Sequence, residues 1–178
     1  MEPITNSRIM GAVLAGGLST RFGSDKALAL LGGRSLIDCA VDSLSSQCTT
    51  VVIIGREGGA PDWPHSGLGP LGGLAGALRH AQAMEYEAVL SCGVDSVGLP
   101  DDLLERLSPA PAYLATQPVI GLWPVLALPT LEAILTGSGK HAVMRFVEAI
   151  GARAIDLPRP PANVNWPEDL ARLQEPKE

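Results

Sequence analysis

The residues best suited to chemistry stand in one run, Val13-Leu14-Ala15-Gly16-Gly17-Leu18-Ser19-Thr20-Arg21-Phe22-Gly23-Ser24-Asp25-Lys26. An apolar segment ends in two glycines, and a polar loop carrying Arg21, Gly23, Asp25 and Lys26 follows. Glycines let backbone N–H groups approach an anion with no Cβ in the way. Arg21 and Lys26 add positive charge where a polyphosphate would sit. The loop contains neither the Gly-Lys-Ser/Thr of a Walker A motif nor G-x-G-x-x-G. Asp95 is the second informative position. It follows the apolar run Ala88-Val89-Leu90 through Ser91-Cys92-Gly93-Val94. A carboxylate at a strand end, across from a phosphate loop, suits Mg²⁺, which takes one or two carboxylates plus phosphate oxygens. Such an acid can also start a turn or cap a helix; the neighbouring glycine loop favours the metal.

Other candidates are less specific. The glycines of Gly69-Pro70-Leu71-Gly72-Gly73-Leu74-Ala75-Gly76 either admit a base or ribose to the backbone or let a helix pack closely on a sheet. Asp62, on the loop before them, reads by itself as a solvated acid. His65, His80 and His141 lack ligand spacing, His80 reading as a helix-surface residue. Trp63, Trp123 and Trp166 either line a cleft or pack with the indole N–H satisfied. Trp166, between Asn165 and Pro167, reads as the cleft residue.

Positioning these groups requires a frame. Strands are expected at 8–14, 50–54, 88–92, 112–116, 120–128 and 153–157, the first three apolar nearly throughout, as in strands covered on both faces. Helices are expected after a Ser35 cap, from Pro70 to about Ala83, from after Pro100 to near Leu107, through Val143, Phe146 and Ile150, and after Pro167. Alternating strands and helices imply an α/β fold: an open, mostly parallel twisted sheet with helices on both faces. Ligands of such sheets bind beyond the carboxyl ends of the strands, which puts Gly16-Gly17 and Asp95 on one rim.

The 178 residues, 46% apolar, fit one domain over 1–178. A net charge of −6 argues against broad nucleic-acid binding but not against a small anion held locally. No apolar stretch spans a bilayer, and the polar N-terminus lacks the build of a signal peptide, so a cytoplasmic protein without a membrane role is expected. Cys39, Cys48 and Cys92 read as reduced thiols.

The glycine loop resembles the L-A-G-G-x(n)-R-x-G-x-D-K loop of nucleotidyltransferases with the nucleotide-diphospho-sugar transferase fold, which is Rossmann-like. Gln117-Pro118-Val119-Ile120-Gly121-Leu122-Trp123-Pro124 is similar to the P-x-x-G-L-W-P stretch of the MobA family of molybdenum cofactor guanylyltransferases. Asn163-Val164-Asn165-Trp166-Pro167-Glu168-Asp169-Leu170 is similar to its N-x-N-T-P-E-D-L segment. The resemblance implies that GTP, with Mg²⁺, donates GMP to the phosphate of molybdopterin, releasing pyrophosphate. It implies that the backbone at Leu14, Ala15 and Gly16, with Gly17 beside them, meets the guanine nucleotide. Lys26 then binds phosphate, Asp62 contacts guanosine, Asp95 binds metal and nucleotide, and Asn163 with Asn165 faces the pterin. Lys26, Asp95 and Arg21 form the expected catalytic set. Further implied partners are the molybdenum-insertion protein and molybdoenzyme apoproteins. Three departures stand out: Val97 where the family has proline, Ile54 or Gly55 where it has a nucleotide-contacting asparagine, and a shorter segment from Ser108 to Gln117. The open alternatives are a cytidylyltransferase or other nucleotidyltransferase, and a non-catalytic nucleotide- or cofactor-binding homologue. The missing proline is expected to loosen the turn that presents Asp95, so that Val97→Pro stabilises the fold if the backbone angle suits.

Overall fold

A computed structural model of the chain describes residues 8–17 and 22–176. The strands are β1 (Ile9–Leu14), β2 (Leu30–Leu31), β3 (Arg34–Ser35), β4 (Thr50–Ile54), β5 (Ala88–Gly93), β6 (Ser96–Val97), β7 (Ala112–Leu114), β8 (Gln117–Pro124), β9 (Arg153–Ile155) and β10 (Ala162–Asn163). The helices are α1 (Leu36–Ser45), α2 (Pro70–Ala83), α3 (Leu103–Leu107), α4 (Leu128–Thr136), α5 (Val143–Ala149) and α6 (Pro167–Gln174). Six strands form one open sheet in the order β4-β1-β5-β8-β7-β9. Only β8 runs against the others, because it returns from β7 through a tight turn. The remaining pairings, β1 with β4, β1 with β5 and β7 with β9, are parallel, as the alternation of strands and helices requires.

The central strands are apolar on both faces because helices cover both. Along β1, Ile9 and Val13 join a cluster with Leu36 and Leu44 of α1 and Leu103 of α3. Met10 and Ala12 point the other way, to Leu71, Leu74 and Leu78 of α2. This period-2 division is what the pleat imposes. The Ser35 cap is formed: its hydroxyl accepts from Asp38 N–H at 3.2 Å and opens α1.

The sequence expectation fails at 120–128. β8 starts earlier, at Gln117, and stops at Pro124; Val125–Ala127 is a 3₁₀ turn that leads into the unanticipated α4. The continuous apolar character hid the change of period. Pro129 at the helix start, with Leu128, Leu131, Ile134 and Leu135 buried on one face, is the signal in retrospect.

Candidate active site

The site is built where β1 stops. Ala15 N–H donates to Ile54 O at 2.9 Å, and Val94 N–H donates to Leu14 O at 3.2 Å. The glycine loop therefore leaves the sheet between the ends of β4 and β5. It forms one wall of a cleft of about 400 Å³. Leu14, Ala15, Gly16, Gly17, Lys26, Asp62 and Asp95 all line this cleft. Arg21 lies outside the described residues.

Lys26 Nζ sits 3.2 Å from Asp95 Oδ2, and both side chains are largely shielded from solvent. Two features set this geometry. Asp25 caps the 3₁₀ turn Lys26–Leu28 by accepting from Ala27 N–H at 3.1 Å. The Arg56 guanidinium forks onto the Asp25 carboxylate, donating to Oδ1 at 3.3 Å and pairing with Oδ2. Across the cleft, a Cβ on Gly93 would lie only 2.4 Å from Asp95 Oδ1. Glycine at 93 thus makes room for the carboxylate to fold back over its own strand. Sequence reasoning missed Arg56 and did not give Gly93 this role. Arg56 had no spacing signal, and Gly93 read as part of an apolar strand.

Asp62 is carried by a loop that doubles back beside β4. Gly55 N–H donates to Ala60 O at 2.8 Å, Ala60 N–H to Ile53 O at 3.0 Å, and Trp63 N–H to Gly72 O at 3.0 Å. The glycines that follow divide between the two readings left open by sequence. Gly69 and Gly73 line the cleft. Gly76 serves packing, since a Cβ there would lie 2.1 Å from Pro61 O. The Asp62 carboxylate makes no hydrogen bond among the described residues, and burial pushes its pKa above the ordinary aspartate value. A half-buried acceptor without a donor is suited to the N–H groups of a base or the hydroxyls of a ribose.

The asparagine departure has a steric basis here. Gly55 has φ +85°, and a Cβ on it would lie 2.6 Å from Gly16 Cα and 2.9 Å from Asp62 Oδ1. No side chain fits between the two loops at 55, and Ile54 is fully buried. The proline departure also changes meaning. Val97 is in β6, paired with Ala162 of β10. Val164 N–H donates to Asp95 O at 2.9 Å, so by antiparallel alternation Val97–Ala162 is the next hydrogen-bonded pair. Proline at 97 would remove a ladder donor, so the expected stabilisation by Val97→Pro is reversed.

The same ladder pairs Asn163 with Ser96, beside Asp95, so Asn163 and Asn165 stand next to the Asp95 turn rather than in the cleft lining. Asp169 accepts from Asn165 N–H and Trp166 N–H, both at 2.9 Å, which lowers its pKa and fixes the start of α6. Trp166 is half exposed and outside the cleft lining. Trp123 is a core residue. Its indole N–H donates to Ser91 Oγ at 2.8 Å, and Gly121 leaves the space its ring fills. Burial pushes the Cys48 thiol up to about 12 and Cys92 higher still, so neither is a nucleophile at neutral pH. Among the described residues, no three His, Cys, Asp or Glu side chains converge as a metal cage. An all-protein metal site is therefore absent there, whereas one carboxylate, Asp95, meets the demand of a cation that shares phosphate oxygens. No helix among the described residues is long and apolar enough to cross a membrane.

Comparison with known proteins agrees with this geometry. A MobA-like NTP transferase domain is matched over residues 11–154. The molybdenum cofactor guanylyltransferase of Acidiphilium cryptum is 37% identical over 188 aligned positions, covering 96% of each chain. That of Rhodobacter capsulatus is 36% identical over 183 positions, covering 94% of this chain and 96% of its own. Among solved structures, molybdopterin-guanine dinucleotide biosynthesis protein A from Archaeoglobus fulgidus superposes with a TM-score of 0.70 at 22% identity, covering 93% of this chain and 96% of its own; it shares the fold. A mostly parallel sheet, a glycine loop at its carboxyl edge facing Lys26 and Asp95, and this sequence likeness together make the chain a member of the MobA-like NTP transferase family, a nucleotidyltransferase.

Proposed function

We propose that this chain transfers GMP from GTP to the terminal phosphate of molybdopterin, forming the guanine dinucleotide and pyrophosphate, in the cytoplasm. The observation that carries the reading is that one cleft brings together Gly16 and Gly17, the Lys26–Asp95 pair and an Asp62 carboxylate with no hydrogen bond among the described residues. Backbone at Leu14, Ala15 and Gly16 borders the guanine nucleotide. Asp62 accepts from guanine N1–H and N2–H₂ or from ribose. Lys26 lies along the phosphates, and the sequence motif assigns Arg21 the same partner.

In the reaction, an acceptor phosphate oxygen attacks the α-phosphorus in line. The new P–O bond forms as the bond to the bridging oxygen breaks, and pyrophosphate leaves with that electron pair. The attacking phosphate is already ionised at neutral pH, so no general base is required. The buried Cys92, the half-buried Cys48 and the scattered histidines fit that economy. The protein supplies position and charge. The Lys26 ammonium neutralises charge that develops on the leaving group. Asp95 would hold Mg²⁺, which supplies Lewis acidity toward the phosphates when bound. Asn163 and Asn165, beside the Asp95 turn, receive the pterin. The product is then available to the molybdenum-insertion protein and molybdoenzyme apoproteins.

The test is ligand-induced stabilisation. With Mg²⁺, GTP at about 100 times its Kd should stabilise the fold by about 2.7 kcal/mol. That raises Tm by about 5–11 °C for a domain of this size. A larger shift with CTP would move the chain to the cytidylyltransferase alternative.

A further inference from the structure

We propose that Gln117 is a positioning residue that locks the Asp95 turn to the acceptor-side strand β10, and so sets where the incoming phosphate meets the nucleotide. The inference rests on the transfer reading above. Gln117 opens β8 and heads the stretch whose Gly121 and Trp123 are accounted for by the core. Its own side chain points elsewhere. Ser96 Oγ donates to Gln117 Oε1 at 2.9 Å, and Gln117 Nε2 donates to Pro161 O at 2.8 Å. A carbonyl only accepts, so the NH₂ end must face Pro161 and the amide orientation is fixed by chemistry. Ser96, 4% exposed, adjoins Asp95; Pro161 adjoins Ala162–Asn163.

The strands it ties are short. β6 and β10 have two residues each and form a sheet of their own. A ladder of that length does not hold itself in place. Gln117 belongs to the six-stranded sheet, so its amide anchors both short strands to the main frame. The nucleotide wall is held separately, by Ala15 on Ile54 and by the Asp62 loop on α2. Lys26 holds the Asp95 carboxylate from the nucleotide side, so loosening the Gln117 link should spoil alignment of the acceptor far more than it weakens GTP binding. In-line attack is sensitive to such shifts, a misplacement of about 1 Å costing about 100-fold.

Two substitutions cut the two arms separately. Gln117→Glu keeps the shape and can still accept from Ser96, but sets a carboxylate oxygen against the Pro161 carbonyl. Ser96→Ala removes the other arm. Kinetics with molybdopterin and GTP varied in turn should show kcat/KM for molybdopterin falling about 10- to 100-fold in each variant. Because Lys26 still holds the Asp95 carboxylate, KM for GTP and the rise in Tm on adding GTP should change much less than kcat/KM for molybdopterin. The double variant should lose no more than the worse single one, because the arms act as a unit. Unchanged kcat/KM for molybdopterin, or equal losses toward both substrates, would overturn the positioning role. Should Gln117→Glu fail to fold, Ser96→Ala carries the test alone. Wild-type protein that transfers nothing to molybdopterin would instead overturn the function itself, and this inference with it.

Discussion

Replacing Gly76 by alanine sets two physical effects against each other. Gly76 lies inside α2, where alanine is favoured over glycine by about 0.8–1.0 kcal/mol. Propensity alone predicts stabilisation. Packing predicts the reverse. The new Cβ would lie 2.1 Å from Pro61 O, 3.1 Å from Pro61 C and 3.2 Å from Asp62 Cα. An ordinary C···O approach is about 3.3 Å, so helix and loop must part by about 1 Å. The loop resists, being fixed through Trp63 N–H to Gly72 O and Gly55 N–H to Ala60 O. Overpacking costs about 1–3 kcal/mol, and a deep overlap with backbone belongs at the upper end. The net expectation is a loss of about 2 kcal/mol, or a Tm lower by about 4–8 °C. Because the displaced segment carries Asp62, GTP affinity should fall too, by about 10- to 150-fold if one charge-assisted hydrogen bond is lost. Gly17→Ala is the control for stability without GTP, since its Cβ would meet no protein atom within 4 Å, although the residue itself lines the cleft. Calorimetry of both variants with and without GTP gives the answer. A Tm for Gly76→Ala equal to or above wild type would refute the packing argument.

Lys26→Ala should lower kcat by about 10- to 150-fold with the fold retained, the value of one charge-assisted hydrogen bond acting in the transition state; single-turnover kinetics measures it. Asp95→Asn, which deletes the carboxylate's charge, should remove Mg²⁺-dependent turnover almost completely in an Mg²⁺ titration if Asp95 is the ligand proposed above. The Asp62 pKa is raised by burial, so the folded state prefers the neutral acid. Its favourable contribution is present below the ordinary aspartate pKa and is lost as pH rises through the folded value. Asp62→Asn should therefore raise Tm at pH 7, lose that advantage in acid, and bind GTP less well; Tm against pH checks the sign. Val97→Pro should destabilise by about 1–3 kcal/mol by deleting a ladder N–H, seen as a lower urea midpoint.

Much of the frame was legible because its signals are local. Apolar runs at β1, β4 and β5, the Ser35 cap and Pro70 at a helix start each reveal an element by residue type and spacing. The rim holding Gly16 and Asp95 followed from the sheet rule alone. What stayed hidden depends on approach between distant segments. Gly93 makes room for the Asp95 carboxylate, Gly55 lies against Gly16, and Arg56 reaches Asp25 across the loop. None of these has a periodicity, and each glycine looked like any other until the neighbouring backbone was in view. The Val97 reading failed for the same reason: β6 is a strand only because β10, from the far end of the chain, pairs with it.

The most direct measurement is transfer of label from α-³²P-labelled GTP, CTP or ATP to molybdopterin by the purified protein with Mg²⁺, with pyrophosphate release followed in parallel. The account predicts labelled dinucleotide and equal pyrophosphate from GTP, with CTP and ATP far less effective. Better transfer from CTP, or nucleotide binding without transfer from any triphosphate, would contradict it.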